Sequence, residues 1–120
     1  MRIKAKLNKI KNKDGLNLLF FEYYDNIIKV LMLEMNINLR EGDIATLRVK
    51  PTLLFLSSQK IDYENVLEVD IVEIKKGEIM ANIICKYKND VFEVLMLKEY
   101  ANFEKKAYLY FKANFVSVEK

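Results

Sequence analysis

Two lysines recur at matching places in this chain, each followed two residues later by a neutral donor: Lys50-Pro51-Thr52 and Lys112-Ala113-Asn114. On spacing alone each is a solvated lysine at a strand end, so the rest of the composition has to narrow the chemistry. There is no histidine, which removes imidazole general bases, serine–histidine triads and most zinc or copper sites. Cys85 is the only cysteine. It cannot form an intramolecular disulfide, fits a reducing compartment, and reads as a small buried apolar residue. Carboxylates are plentiful, but no spacing pairs two of them at a defined site. Two isolated methionines in the repeated Val-Leu-Met-Leu make a poor soft-metal site. These residues predict a protein that is not an enzyme and has neither catalytic nor metal-ligating residues.

Length and charge bound the partners. A chain of 120 residues with 52% hydrophobic content and a net charge of +3 has room for one domain or two very small ones. The charge is a weak bias toward anionic partners. It falls short of the dense basic patch of a nucleic-acid-binding domain. The start, Met1-Arg2-Ile3-Lys4, alternates at once and lacks the apolar run of a signal peptide, and no stretch reaches membrane-spanning length. The expectation is a cytoplasmic protein with no membrane partner.

The elements that must hold those lysines are strands. Ile3, Ala5 and Leu7 alternate with polar residues, as do Ala45, Leu47 and Val49, then Leu67, Val69 and Ile71, then Ile79, Ala81 and Ile83, then Leu109 and Phe111. A period of two over runs this short predicts half-buried strands. Asp14-Gly15 is a hairpin signal, Gly77 ends a similar strand, Arg40 to Asp43 is a polar turn, and Pro51 marks an edge or strand end. The charged stretch Lys9 to Asp14 reads as a solvated hairpin turn. Short helices are expected at Lys98 to Phe103 and at Glu34 to Asn38.

The chain also repeats itself. Val30-Leu31-Met32-Leu33 recurs as Val94-Leu95-Met96-Leu97. Around it each half runs through the same order: an opening strand ending in Ile-Lys, a glycine turn, a second strand, the tetrapeptide, a charged turn and a closing lysine-bearing strand. One shared tetrapeptide is within chance, but the matched order of the rest points to duplication. The join falls in Ser57-Ser58-Gln59-Lys60. The expectation is all-β: two tandem OB-like small β-barrel modules with a short helix in each, residues 1–58 and 62–120. Exchange of a strand between the halves is possible, but the sequence does not show it. The repeated tetrapeptide is assigned to core and module–module packing.

Asn65 to Gly77 (Asn-Val-Leu-Glu-Val-Asp-Ile-Val-Glu-Ile-Lys-Lys-Gly) resembles the opening strand and turn of molybdate-binding modules of the Mop or TOBE type. Ala107 to Val118, with Lys112-Ala113-Asn114, resembles their closing strand, where lysine, alanine and serine are usual. In the first half, Leu39 to Asp43 resembles the charged turn, and Lys50-Pro51-Thr52 takes the lysine–alanine–serine place. Together the two halves resemble a tandem, di-Mop or molbindin-like arrangement.

That resemblance implies non-catalytic binding of molybdate or tungstate as the ligand, with no organic cofactor, in homeostasis, storage or sensing. It also implies a homo-oligomer with the anion at interfaces between modules. A tetrahedral dianion is held by lysine, hydroxyls, amides and backbone N–H groups with no redox step. The resemblance makes Lys50, Thr52, Asn65, Lys112 and Asn114 the candidate oxyanion contacts, although Asn65 serves equally as a cap on the loop into the second half. The chain departs from the family at Asp62 and Glu64, where a serine and a basic residue are usual, and at Leu97 and Tyr100, with Leu33 and Asn36 in the first half, where hydroxyls are usual. Those departures give the rival reading, a regulatory or protein-interaction module that has lost the anion. A third reading, single-stranded nucleic acid stacked on a barrel face through Tyr108 and Tyr110, is argued against by the charge balance.

Overall fold

The computed structural model describes all of residues 1–120. Ten strands follow in chain order: β1 (Arg2–Lys13), β2 (Leu16–Tyr23), β3 (Asn26–Met32), β4 (Ile44–Arg48), β5 (Phe55–Ser57), β6 (Asn65–Lys76), β7 (Met80–Tyr87), β8 (Asp90–Leu97), β9 (Lys106–Phe111) and β10 (Ser117–Glu119). They form two five-stranded antiparallel sheets in the orders β10-β4-β1-β2-β3 and β5-β9-β6-β7-β8. The fold is all-β and OB-like, as the alternation predicts.

The chain resolves into two compact units. One is continuous, Lys50–Phe111, and also takes in Met1. The other is split, Arg2–Val49 with Lys112–Lys120. These are not the halves 1–58 and 62–120. β5 comes from the first half yet pairs with β9, and β10 comes from the second half yet pairs with β4. The halves therefore exchange their last strands. Composition could not show this, because a three-residue strand carries no mark of which neighbour it will pair with.

Within each unit the same local chemistry recurs. In the split unit Ile3, Ala5, Leu7, Leu19, Phe21, Val30 and Leu47 form the core, all buried. In the continuous unit Leu67, Val69, Ala81, Ile83, Phe92, Val94 and Leu109 do the same. Burying a side chain of this size contributes about 1.5–3 kcal/mol. Lys6 lies opposite Glu22, and Asp70 opposite Lys86, 64 positions later on both strands. A bulge interrupts β1 between Leu7 and Lys9, and another interrupts β6 between Ile71 and Glu73. The β2–β3 and β7–β8 hairpins each turn on a residue of positive φ, Tyr24 and Lys88. Repeated pairing, bulge and turn are a stronger sign of duplication than the shared tetrapeptide.

The Asp14-Gly15 hairpin forms as read, with both residues at positive φ (54° and 77°), the conformation that favours Asp-Gly there. Lys9 to Lys13 is strand rather than turn. The expected helices are shorter or absent. Lys98–Tyr100 is a single 3-10 turn, and Glu34 to Asn38 forms no helix. Ile79, expected in a core alternation, is 72% exposed, because the strand starts only at Met80.

Candidate functional site

Lys50 and Lys112 occupy the same local structure. Each precedes a 3-10 turn, Pro51–Leu53 and Ala113–Phe115, with extended backbone at the lysine (φ −62°, ψ 143° and φ −78°, ψ 144°). The turns close by Leu53 N–H donating to the Lys50 carbonyl (2.9 Å) and Phe115 N–H donating to the Lys112 carbonyl (3.1 Å). Pro51 at the first turn position supplies a pre-set φ and loses no needed donor.

The turns are held by the edge strands. Pro51–Leu53 lies against β8, and Ala113–Phe115 lies against β3. Each turn runs straight into the strand at the opposite edge of the same sheet, β5 or β10, so it draws the two edges of a sheet toward each other and curls it. The lysine-bearing turn is therefore a closure device of the barrel as well as a candidate site.

Lys50, Thr52, Lys112 and Asn114 are exposed, and none of them makes a side-chain hydrogen bond or ion pair. Lys112 Nζ stands 5.8 Å from the Phe115 ring centroid. Asn65 is different: it is 2% exposed and opens β6 opposite Phe111. The five candidates divide between the units, with Lys50, Thr52 and Asn65 in the continuous one and Lys112 and Asn114 in the split one. The register gives Asn65 no polar counterpart, since the equivalent place before Arg2 is Met1. Asp62 and Glu64 are exposed just ahead of Asn65, and Leu97 (44%) and Tyr100 (65%) are also exposed.

With that geometry in view, one comparison stands out. The chain has the fold of a molybdate-binding protein. Its structure superposes on a crystal structure of the cytoplasmic molybdate-binding protein ModG, solved with molybdate bound, with a TM-score of 0.89 at 15% identity, covering 99% of this chain and 94% of that one. No protein-family model and no curated protein matches the sequence. The likeness is therefore one of fold.

Two features lay outside the sequence reading. Tyr110 is fully buried. Its hydroxyl donates to the Gln59 carbonyl (2.6 Å) and accepts from Ile61 N–H (2.7 Å), and its ring stacks on Phe55 (4.9 Å) and meets Tyr63 edge-on (5.8 Å). It pins the segment between the halves and presents no stacking surface, which removes it from the nucleic-acid reading. Alternation set Tyr110 on an outward face between Leu109 and Phe111; the rings of Phe55 and Tyr63, from a distant segment, cover that face. The second feature is a run of outward cations on β1, beside a 310 Å³ groove lined by Lys4, Lys6, Glu22, Tyr24 and Ile44.

No group of three or more Cys, Asp or Glu side chains is placed to hold a metal ion, and no helix is long and apolar enough to cross a membrane. Burial pushes the Cys85 thiol up to about 11.

Proposed function

We propose that this chain binds a tetrahedral oxyanion of the molybdate or tungstate class in the cytoplasm, without catalysis, in homeostasis, storage or sensing. The observation that carries the reading is the pair of matched 3-10 turns, each led by an unpaired lysine and carrying a free neutral donor, Thr52 or Asn114, in a fold shared with a molybdate-binding protein. A dianion gains from charge-assisted hydrogen bonds to lysine and from neutral donors already free of protein partners. At the turn of the continuous unit Thr52 donates to an anion, Lys50 balances its charge and Asn65 orders the start of β6; at the turn of the split unit Asn114 and Lys112 play the same two parts. Cavity size separates the larger molybdate and tungstate from sulfate. The reading includes assembly into a homo-oligomer.

Titration calorimetry with molybdate, tungstate and sulfate tests it. Heat with the first two at sub-millimolar concentration is expected, with Lys50→Ala and Lys112→Ala each weakening binding about tenfold or more, or about 1.4 kcal/mol. No heat with any of the three sinks the reading. Asp62 and Glu64, with Leu97 exposed where a hydroxyl donor would serve, favour a second reading: a regulatory or protein-interaction module that keeps the fold without the anion. Full thermal stability with no anion and no shift on adding molybdate would select it.

A further inference from the structure

The groove on the outer face of the split unit shares no residue with the lysine-bearing turns. It runs over β1 at Lys4, Ala5 and Lys6, and Glu22, Tyr24 and Ile44 complete its lining. The register accounts for its shape. Lys6 stands between Ile44 on β4 and Glu22 on β2, and Tyr24 follows in the turn between β2 and β3. Neighbouring strands are about 4.8 Å apart, so the two strands flanking β1 are about 9.6 Å apart. Ile44 and Tyr24 therefore wall the groove from opposite sides. Both present apolar surface to solvent, at 57% and 46% exposure. The Tyr24 ring is braced from below by the buried Tyr23, edge-on at 4.9 Å.

The charged groups of this groove are uncommitted. Lys6 and Glu22 are register partners, yet neither they nor Lys4 makes an ion pair or a side-chain hydrogen bond. The duplicated place in the continuous unit shows the alternative. There Glu68, Asp70, Lys86, Lys88 and Lys106 stand where Lys4, Lys6, Glu22, Tyr24 and Ile44 stand here. Both walls have become lysines. Lys106 lies 3.9 Å from Glu68 and 3.7 Å from Asp70, so the charges are answered within the protein. The fold does not require the groove, and its lining belongs to the first copy alone.

That lining asks for a ligand with three parts. An aromatic wall facing an aliphatic one takes a flat ring, which stacks on tyrosine whatever its identity. Lys4 and Lys6, on one face of β1 about 6.8 Å apart, take an anionic group, and phosphate gains most from two charge-assisted hydrogen bonds. Glu22 accepts and does not donate, so it repels a plain aromatic acid and favours a ring that brings N–H donors. We propose that this groove binds a nucleoside monophosphate, with the base between Ile44 and Tyr24, base N–H groups donating to Glu22, and the phosphate on Lys4 and Lys6. Guanine, with a ring N–H beside an amino group, is the base a carboxylate holds by two parallel hydrogen bonds. A volume of 310 Å³ is at the lower end of small-molecule sites and suits a single nucleotide.

Amide resonances of the full chain titrated with GMP read this directly. Shifts centred on Lys4 to Lys6, Glu22 to Tyr24 and Ile44 are expected, with a Kd of about 1 mM or tighter, while Glu68, Asp70 and Lys106 stay unmoved. Inorganic phosphate alone and guanosine alone each bind about tenfold or more weakly than GMP. Ile44→Ala and Tyr24→Gly each remove one wall at constant charge, so each weakens GMP about tenfold and leaves the phosphate response unchanged. Lys4→Gln with Lys6→Gln abolishes both responses. Ile44 is exposed, and glycine is at ease at the positive φ of position 24; amide dispersion verifies folding, and if Tyr24→Gly does not fold, Ile44→Ala decides. No shifts at about 10 mM GMP, equal affinity for phosphate alone, shifts centred on the turns of Lys50 and Lys112, or GMP binding indifferent to Ile44→Ala overturns the proposal. So does a chain whose β1 lysines retain a single-stranded oligonucleotide while GMP moves nothing. Calorimetry with molybdate reads the lysine-bearing turns and is independent of all these readouts.

Discussion

The matched placement of Lys50-Pro51-Thr52 and Lys112-Ala113-Asn114 was legible in the sequence, and the structure gives the two segments matched 3-10 turns; that these residues contact an anion remains the proposal. Tyr110 was not legible, because its burial comes from rings distant in the chain. Its hydroxyl makes two hydrogen bonds to the 59–61 segment, so Tyr110→Phe is expected to cost about 1 kcal/mol, read as a lower urea midpoint at unchanged m-value. Cys85 is fully buried in the continuous unit, and burial raises its thiol from 9.0 to about 11. Thiolate is the reactive form, so alkylation at pH 8 should be negligible until the chain is unfolded in denaturant. The same shift fixes a sign. Between pH 9 and 11 the unfolded thiol ionises while the folded one keeps its proton, so the unfolded state binds fewer protons and stability falls as pH rises. Melting temperatures across that window should drop less in Cys85→Ala, against its own lower baseline, than in the unaltered chain.

At the scale of elements, the alternation of two was a sound guide, because each strand buries one face and the side-chain period leaves little choice. The helices failed for the complementary reason. Lys98 to Phe103 and Glu34 to Asn38 are too short for a helix without packing to support it, and they settle as one 3-10 turn and as loop. The Arg40–Asp43 turn was read correctly, and the structure adds what holds it. The Asp43 carboxylate accepts from Arg40 N–H at 2.9 Å and pairs with Lys120 Nζ at 3.2 Å, and Lys120 also donates to the Asn38 carbonyl at 3.0 Å. The backbone hydrogen bond first, then Lys120, holds the Asp43 carboxyl below its ordinary 3.8. That contribution to stability is present above the unfolded value and lost as pH falls through the folded one. Asp43→Asn should therefore lower the melting temperature slightly at pH 6, and the two proteins should converge as pH falls below the native value of Asp43. A difference that persists undiminished at the acid end would show that the charge is not what holds the turn.

For the whole molecule, the path of the chain matters more than its repeat. Sequence order predicts modules at 1–58 and 62–120, because the repeat is sequential. Pairing puts β5 beside β9 and β10 beside β4, because a barrel closes on whichever strand reaches its open edge. The two divisions predict different fragments. Residues 50–111 contain every strand of the order β5-β9-β6-β7-β8, the turn that closes it, and the Tyr110 cluster with Phe55 and Tyr63. Residues 62–120 lack β5 and leave the outer side of Tyr110 uncovered, and residues 1–58 lack β10 with the buried Ala113, Val116 and Val118. A fragment of residues 50–111 is near the lower limit for an independent core, yet its sheet is complete, so it should unfold cooperatively in urea with dispersed amide resonances. Fragment 1–58 has an unpaired β4 edge and an open barrel, which is a template for pairing with another chain. It should be unfolded as a monomer or recruit a second copy to supply the missing strand. If 1–58 instead folds as a stable monomer while 50–111 does not, the exchange of closing strands is not what stabilises this chain.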